Sequence, residues 1–158
     1  MPIYMKYGDI KGEVTAKGHE HWIEVNSFQW GVGRGISSPT GASGDRESSA
    51  PSVSEITVTK GLDSSSVNLL QEALAGEGKK VTLDFCKTDK NELVKYLSFE
   101  LENTMISGYS ASSGGDRPQE SLSLNFTKIS MTETGSDAAG STGQPSTVGY
   151  DLALGKTT

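Results

Sequence analysis

The chain has 158 residues, of which 34% are hydrophobic and 19 are glycine, and its formal net charge at pH 7 is −6. This length predicts one domain, and the glycine content favours many short strands joined by turns. The charge argues against a nucleic-acid-binding protein and against an anionic membrane surface, because no basic stripe is present to replace phosphate counterions. No stretch approaches the ~20 apolar residues of a membrane-spanning helix.

Alternation of apolar and polar residues predicts seven to nine strands along the chain. The clearest are Ile3–Tyr7, Trp22–Val32, Val53–Lys60, Lys80–Lys87, Leu97–Leu101, Asn103–Ser110, Ser121–Met131 and Val148–Leu154.

The segment Leu93–Met131 is the most regular part of the sequence, and we predict that it forms a long, curved antiparallel hairpin around the loop Ser112–Gln119. The apolar positions change from even to odd numbers before Ile129, which predicts a β-bulge. A second parity change, near Asn26-Ser27, predicts another bulge.

One helix is predicted after Asp63, a good N-cap residue, and it ends near Gly76. Its apolar stripe at positions i, i+3 and i+7 consists of Val67, Leu70 and Leu74. Leu69 and Ala73 widen the stripe. Because a helix of about three turns does not hold alone in water, we expect this stripe to dock on a sheet. We also expect Leu70→Asp to unfold the domain or leave it insoluble.

Two long segments, 33–52 and 134–147, are rich in Gly, Ser and Thr. Loops beyond about 12–15 residues in compact domains are either functional or disordered, and composition leaves both readings open for 33–52. The whole pattern predicts a mainly β protein, a barrel or sandwich of antiparallel sheets with one helix on a side or end.

The sequence contains only weak signals for a catalytic, metal or nucleotide site. His19 and His21 are the only histidines, too few for a metal site with Glu20, and we predict a solvated loop pair. Gly31–Gly35 lacks the spacing of a phosphate-binding loop. Cys86 lies in a strand-like run and is predicted to be a core residue. We therefore predict no enzyme, no metal and no cofactor.

Two further features are predicted to serve packing or assembly. Asp116-Arg117 in the hairpin loop is predicted to form a turn-stabilising or subunit-interface ion pair rather than a catalytic one. Trp22 and Trp30 both lie on predicted strands, where core or interface packing is favoured over ligand stacking.

Five blocks, in order, resemble the haemolysin-coregulated protein (Hcp) family of bacterial type VI secretion systems. They are IYMKYGDIKGEV, IEVNSFQWGVGR, ITVTKGLDSSSVNLLQEAL, YLSFELENTMISGYSASSGGDRPQESLSLNFTKISM and VGYDLA. The resemblance implies one domain over residues 1–158, a small closed β-barrel of two sheets with one flanking helix, and no toxin domain after the last strand.

The resemblance also implies a structural role as a tube subunit that forms homohexameric rings. Such rings stack, carry effector proteins in the lumen, and are expelled with a spike protein at the tip by a contractile sheath. Alternatives are an adaptor ring dedicated to one effector and a contractile phage tail tube protein. Synthesis in the bacterial cytoplasm without a signal peptide, and secretion outside the cell or into a target cell, are expected.

By the same resemblance, the segment from Ser37 to Val53 corresponds to the loop that reaches the neighbouring ring. Its Ser-rich composition departs from the family pattern. The residues expected to contribute to ring stacking are Ser37, Ser38, Asp45, Arg46 and Glu47.

Overall fold

The protein consists of two antiparallel β-sheets and one α-helix in a computed structural model that describes residues 1–37, 41, 48–136 and 142–158. The elements are β1 (Ile3–Tyr7), β2 (Ile23–Val25), β3 (Ser27–Gln29), β4 (Val32–Gly33), β5 (Ser52–Val53), β6 (Ile56–Gly61), α1 (Ser66–Ala75), β7 (Lys79–Asp89), β8 (Glu92–Ser112), β9 (Gln119–Asn125), β10 (Lys128–Ser136), β11 (Thr142–Asp151) and β12 (Lys156–Thr157).

The first sheet has the strand order β12-β11-β10-β8-β7-β1-β2, and the second has the order β3-β6-β9-β8. The long strand β8 belongs to both sheets, and β4 and β5 form a separate two-stranded ladder. A closed barrel is not confirmed, because no pairing among the described strands joins β2 to β3. These end strands follow each other in the chain, which therefore connects the two sheets at this edge.

Strand β8 changes sheet at Asn103. Its residues up to Glu102 pair with β10, and its residues from Met105 onward pair with β9. Asn103 has a φ of 52°, which bends the strand at this corner. Gly78 lies so close to the bend that a Cβ atom there would overlap the Asn103 side chain. The predicted curved hairpin is therefore confirmed, with β8 as one arm and β9 followed by β10 as the other.

The two predicted bulges are wrong. Asn26 separates β2 in the first sheet from β3 in the second, and its backbone N–H donates to the Thr59 carbonyl at 2.7 Å. Phe126 and Thr127 likewise separate β9 from β10. The apolar parity changes at both places because the chain crosses from one sheet to the other, which reverses the side of the strand that faces the core.

The core lies between the two sheets. Its fully buried apolar side chains are Met5, Tyr7, Ile23, Ile56, Val58, Leu69, Val81, Leu83, Leu101, Leu122 and Leu124. Phe28, Phe85 and Phe99 stack against one another with ring centroids 4.9–5.9 Å apart. Cys86 is buried as predicted, and burial raises the pKa of its thiol to about 11.

The predicted docking stripe of the helix is wrong. Val67 is 77% exposed, Leu70 41% and Leu74 78%, whereas Leu69 is fully buried. Successive helical residues are about 100° apart, so a helix that turns Leu69 and Ala73 toward the core carries the other three along its flank. The N-cap is Ser65 rather than Asp63. Across the described residues, no helix is both long and apolar enough to cross a membrane.

Candidate functional site

A buried ion pair lies beneath the start of α1. Lys60 on β6 and Glu120 on β9 are register partners on adjacent strands, and both side chains are completely buried. Lys60 Nζ donates to Glu120 Oε1 at 2.6 Å. Taking two charges out of water costs several kcal/mol per ion unless further hydrogen bonds satisfy them, so the surrounding groups decide whether the pair is tolerated.

Those groups come from the end of β6, from the connection that follows it, from the start of α1 and from β8. Lys60 Nζ also donates to the Gly61 carbonyl at 2.9 Å and to Asp63 Oδ1 at 3.0 Å. The Ser66 hydroxyl donates to Glu120 Oε1 at 2.6 Å, and the Tyr109 hydroxyl donates to Glu120 Oε2. The cluster therefore joins the first turn of the helix to three strands of the second sheet.

The electrostatics keep Glu120 ionised. Burial alone raises the pKa of its carboxyl, but the hydrogen bonds from Lys60, Ser66 and Tyr109 outweigh burial and lower that pKa below its usual value. Burial and the bond to Glu120 raise the pKa of Tyr109 to about 12. Because the carboxylate is saturated with donors and sealed from solvent, this cluster positions α1 and offers no group to a substrate.

A second polar centre lies on the outer face of the first sheet, which is the face directed away from the core between the two sheets. His19 Nε2 lies 2.8 Å from Asp84 Oδ2, and the Ser98 hydroxyl donates to Asp84 Oδ1 at 2.7 Å. The His19 ring packs against Tyr4 and Trp22, with centroids 5.2 and 4.6 Å away. The predicted solvated histidine pair is therefore wrong for His19, whose side chain is only 13% exposed.

This centre holds the residue types of a catalytic triad but not the arrangement. A triad requires the imidazole to lie between the nucleophile and the carboxylate, whereas here Asp84 lies between Ser98 and His19. The centre instead fastens the 12–22 hairpin to the sheet. Within the described ranges, no group of three or more His, Cys, Asp and Glu residues could hold a metal ion.

Asp116 and Arg117 both lie exposed in the loop between β8 and β9. Arg117 Nε donates to the Leu62 carbonyl at 2.7 Å, which ties the loop to the segment before α1. No ion pair joins Asp116 to Arg117 in the described part of the chain. Arg117 thus stabilises the turn through a carbonyl rather than through its neighbour.

Of the residues predicted to take part in ring stacking, Ser37 is exposed at the start of the long loop. Ser38, Asp45, Arg46 and Glu47 lie outside the described residues. The base of the loop is the β4–β5 ladder, in which Val32 pairs with Val53.

An apolar groove of about 250 Å³ lies between this ladder and the strands β10, β11 and β12. None of its lining residues is charged. Its lining includes Trp30, Val32, Val53, Met131, Val148 and Tyr150. Val32 is 54% exposed and Val148 51% exposed, so the groove is open in the single chain.

The Lys60–Glu120 cluster was not predicted from the sequence, although the strand pattern contains a signal for it. Lys60 has the same parity as the buried Ile56 and Val58, and Glu120 has the same parity as the buried Leu122 and Leu124. Opposite charges on the inward face of two strands predict a buried pair if the strands are neighbours. That adjacency is a property of the fold.

Comparison with known proteins identifies the fold and the family. The family model described as "Type VI secretion system effector, Hcp" matches residues 4–132. Protein hcp1 of Pseudomonas aeruginosa is 29% identical over 132 residues, which cover 82% of this chain and 80% of that protein.

Two solved structures show how far the similarity extends. A structure described as a type six secretion system protein has a TM-score of 0.90 and 27% identity, and the match covers 99% of both chains. Hcp1 from Salmonella typhimurium has a TM-score of 0.78 and 22% identity, covering 99% of this chain and 98% of that one, which shows the shared fold.

Proposed function

The chain belongs to the Hcp family of type VI secretion system proteins, and on that premise we propose that it is the tube subunit of such a system. In this role six copies form a ring, the rings stack into a tube, and effector proteins travel in the lumen. The proposal also includes two partners, a spike protein at the tip of the tube and a contractile sheath. It includes secretion of the chain from the bacterial cytoplasm.

The observation that carries the proposal is the family match over residues 4–132, which includes the cores of both sheets. Features of the single chain support it. Strand β3 pairs only with β6, and residues 106–112 of β8 pair only with β9, so the second sheet has free edges within the described residues. Exposed sheet edges promote aggregation unless another strand or subunit covers them. A head-to-tail ring would cover them.

We assign ring stacking to the long loop that begins at Ser37. Its polar residues Ser38, Asp45, Arg46 and Glu47 would supply contacts that are weak singly and are repeated around each ring. Asp116 and Arg117 are proposed to lie at the subunit interface, because both are exposed in the hairpin loop at one end of the second sheet.

The first experiment is native mass spectrometry of the purified chain, combined with negative-stain electron microscopy. We expect a hexamer that is imaged as an open ring. A stable monomer at micromolar concentration would contradict the tube-subunit proposal.

A second experiment separates stacking from ring formation. Replacing residues 37–52 by a short Gly-Ser linker should leave hexamers intact in native mass spectrometry while shortening tubes and reducing secretion. Tubes of normal length from this variant would remove the stacking role from the loop and leave the ring proposal in place.

A further inference from the structure

Helix α1 is attached to the rest of the chain by few apolar contacts. Of its ten residues, all of which the structure describes, only Ser66 and Leu69 are buried, and Ala73 is partly buried against the core. Its N-cap side chain, Ser65, makes no capping hydrogen bond to the helix. A helix of this length is marginal in water, and burying one leucine offsets little of the entropy of ordering ten residues. Polar contacts therefore have to hold the helix in place.

The first turn of the helix is fixed by a buried polar cluster, hereafter the latch, which consists of Lys60, Asp63, Ser66, Tyr109 and Glu120. The Ser66 hydroxyl donates to Glu120 Oε1 at 2.6 Å and accepts from the Asp63 backbone N–H at 3.0 Å. Lys60 Nζ also donates to the Ser66 hydroxyl, at 3.3 Å. Ser66 is the one residue of α1 in the latch, and its hydroxyl joins the helix to β6 and β9.

The attachment at the last turn of the helix is weaker. Lys79 Nζ donates to Glu72 Oε1 at 2.6 Å, but the Lys79 side chain is 31% exposed, so solvent screens this pair. The other carboxylate oxygen, Glu72 Oε2, is buried and meets no hydrogen-bond donor among the described residues. A buried polar atom without a partner opposes the docked position. The last turn therefore stabilises docking less than the latch does.

We infer that α1 is a latched segment: it detaches from the sheets as one unit while both sheets stay folded, and breaking the latch is the step that frees it. Because helix formation is cooperative, a segment that loses its first turn has too little buried surface to stay docked by its last turn. The strand pairings persist in the open form, because none of the described ladders includes a residue of α1. This property belongs to the single chain and does not depend on the proposed tube.

The sheets are anchored differently from the helix. Strand β7 pairs with β8 along nearly its whole length and carries the completely buried Val81 and Leu83. Proteins open locally in cooperative units, and segments with few buried apolar contacts open at the lowest free energy. We therefore expect the open form to expose Leu69 and Glu120 to water while the apolar core between the sheets remains.

Native-state hydrogen exchange of the purified chain, read by mass spectrometry at a series of low denaturant concentrations, measures this opening. Peptides from α1 should exchange through an opening of lower free energy and weaker denaturant dependence than peptides from β7 and β8, because detaching the helix exposes less surface than global unfolding. Equal free energies and equal denaturant dependence for helix and strands would overturn the inference, since α1 would then open only when the whole chain unfolds.

Two serine variants test whether the latch controls the opening. Ser66→Ala removes the bond from the helix to Glu120 and should speed the exchange of α1 by about tenfold or more, because hydrogen bonds to charged groups are stronger than neutral ones. Ser64→Ala is the matched control, because Ser64 is exposed two positions earlier in the chain, and it should leave exchange nearly unchanged. Equal exchange of α1 in the two variants would remove the controlling role from the latch.

A variant in the sheets separates local from global opening. Ile129→Val removes one methylene group from a buried side chain of β10 and should speed exchange in β10 and its partner β8 about two- to tenfold. The exchange of α1 should not change, because the core around Ile129 stays intact when the helix detaches. Acceleration of α1 as large as that of the strands would show that helix and sheets form one cooperative unit, which contradicts a separate latch.

Discussion

The inner and outer sides of α1 differ from the usual arrangement, in which charged groups are exposed and apolar groups are buried. At its start, the helix sits over a buried lysine and glutamate, Lys60 and Glu120. Along its flank, it exposes Val67, Leu70 and Leu74 to solvent. Only Leu69 follows the expected pattern of an apolar side chain that is completely buried.

The difference shows that the packing around one helix decides which of its apolar side chains are buried. The ion cluster positions the helix, because Ser66 and Asp63 must lie where Lys60 and Glu120 can bond to them. That position turns Leu69 inward and leaves Val67, Leu70 and Leu74 outside. The following predictions test this contrast, beginning with the largest effect.

Lys60→Met should be the most damaging change at the helix start. It leaves the Glu120 carboxylate buried without its cation, and breaking a buried pair in this way costs about 3–5 kcal/mol of unfolding free energy. Denaturant unfolding measures the loss.

The matched control for Lys60 is Lys79→Met, which removes the partly exposed pair with Glu72. Because solvent screens a partly exposed pair, this variant should lose much less stability than Lys60→Met. Equal losses from the two variants would show that burial does not distinguish the pairs.

Leu69→Ala and Leu70→Ala test which side of the helix stabilises the single chain. Leu69→Ala should cost about 2–5 kcal/mol, because the removed side chain is fully buried. Leu70→Ala should cost only about 1 kcal/mol, because this side chain is already 41% exposed. Unfolding measured at concentrations where the chain is monomeric separates the two, and a larger effect at Leu70 would contradict the helix orientation.

Acid should weaken the ion cluster in a predictable direction. The pKa of Glu120 is lower in the folded chain than its usual value. The stability that its carboxylate contributes is therefore fully present above the usual pKa, and it is lost as the pH falls through the folded pKa. The melting temperature should fall as the pH is lowered through the acid range, and it should fall less steeply in Glu120→Gln. An unchanged slope in that variant would mean that other carboxylates dominate acid unfolding.

Tyr109→Phe should have a smaller effect than Lys60→Met. It removes one of the donors to Glu120 and should lower the unfolding free energy by about 1–2 kcal/mol, because Lys60 and Ser66 remain bonded to the carboxylate. Tyr96→Phe is the control, since its hydroxyl makes no hydrogen bond in the described part of the chain.

A pH titration adds a second readout for Tyr109. Its pKa is raised to about 12, so the stability that its neutral phenol contributes is present below pH 10 and is lost as pH rises toward 12. The Phe variant should lose less stability than the unmodified protein over that interval. Identical alkaline profiles would exclude Tyr109 as a source of that loss.

The strands and the family resemblance were predictable because they rest on local patterns. The period-2 alternation predicted β1 as Ile3–Tyr7 and the curved hairpin around Ser112–Gln119, and the structure confirms both. Parity changes at Asn26 and before Ile129 were visible as well, but a pattern of alternation does not distinguish a bulge from a strand that moves to another sheet.

The sequence by itself determined where most of the strands and the helix lie, and which family the chain resembles. The prediction of a flexible loop over 134–147 was wrong, because Thr134 pairs with Pro145 where β10 and β11 extend into that segment. The tertiary structure alone decided which residues are neighbours: that Lys60 lies beside Glu120, that His19 lies against Asp84, and that α1 turns Leu69 rather than Leu70 inward. The physical reason is that periodicity specifies one side of an element, whereas burial depends on which other element covers that side. For α1 both flanks are apolar, and the ion cluster beneath its first turn selects the one that faces the core.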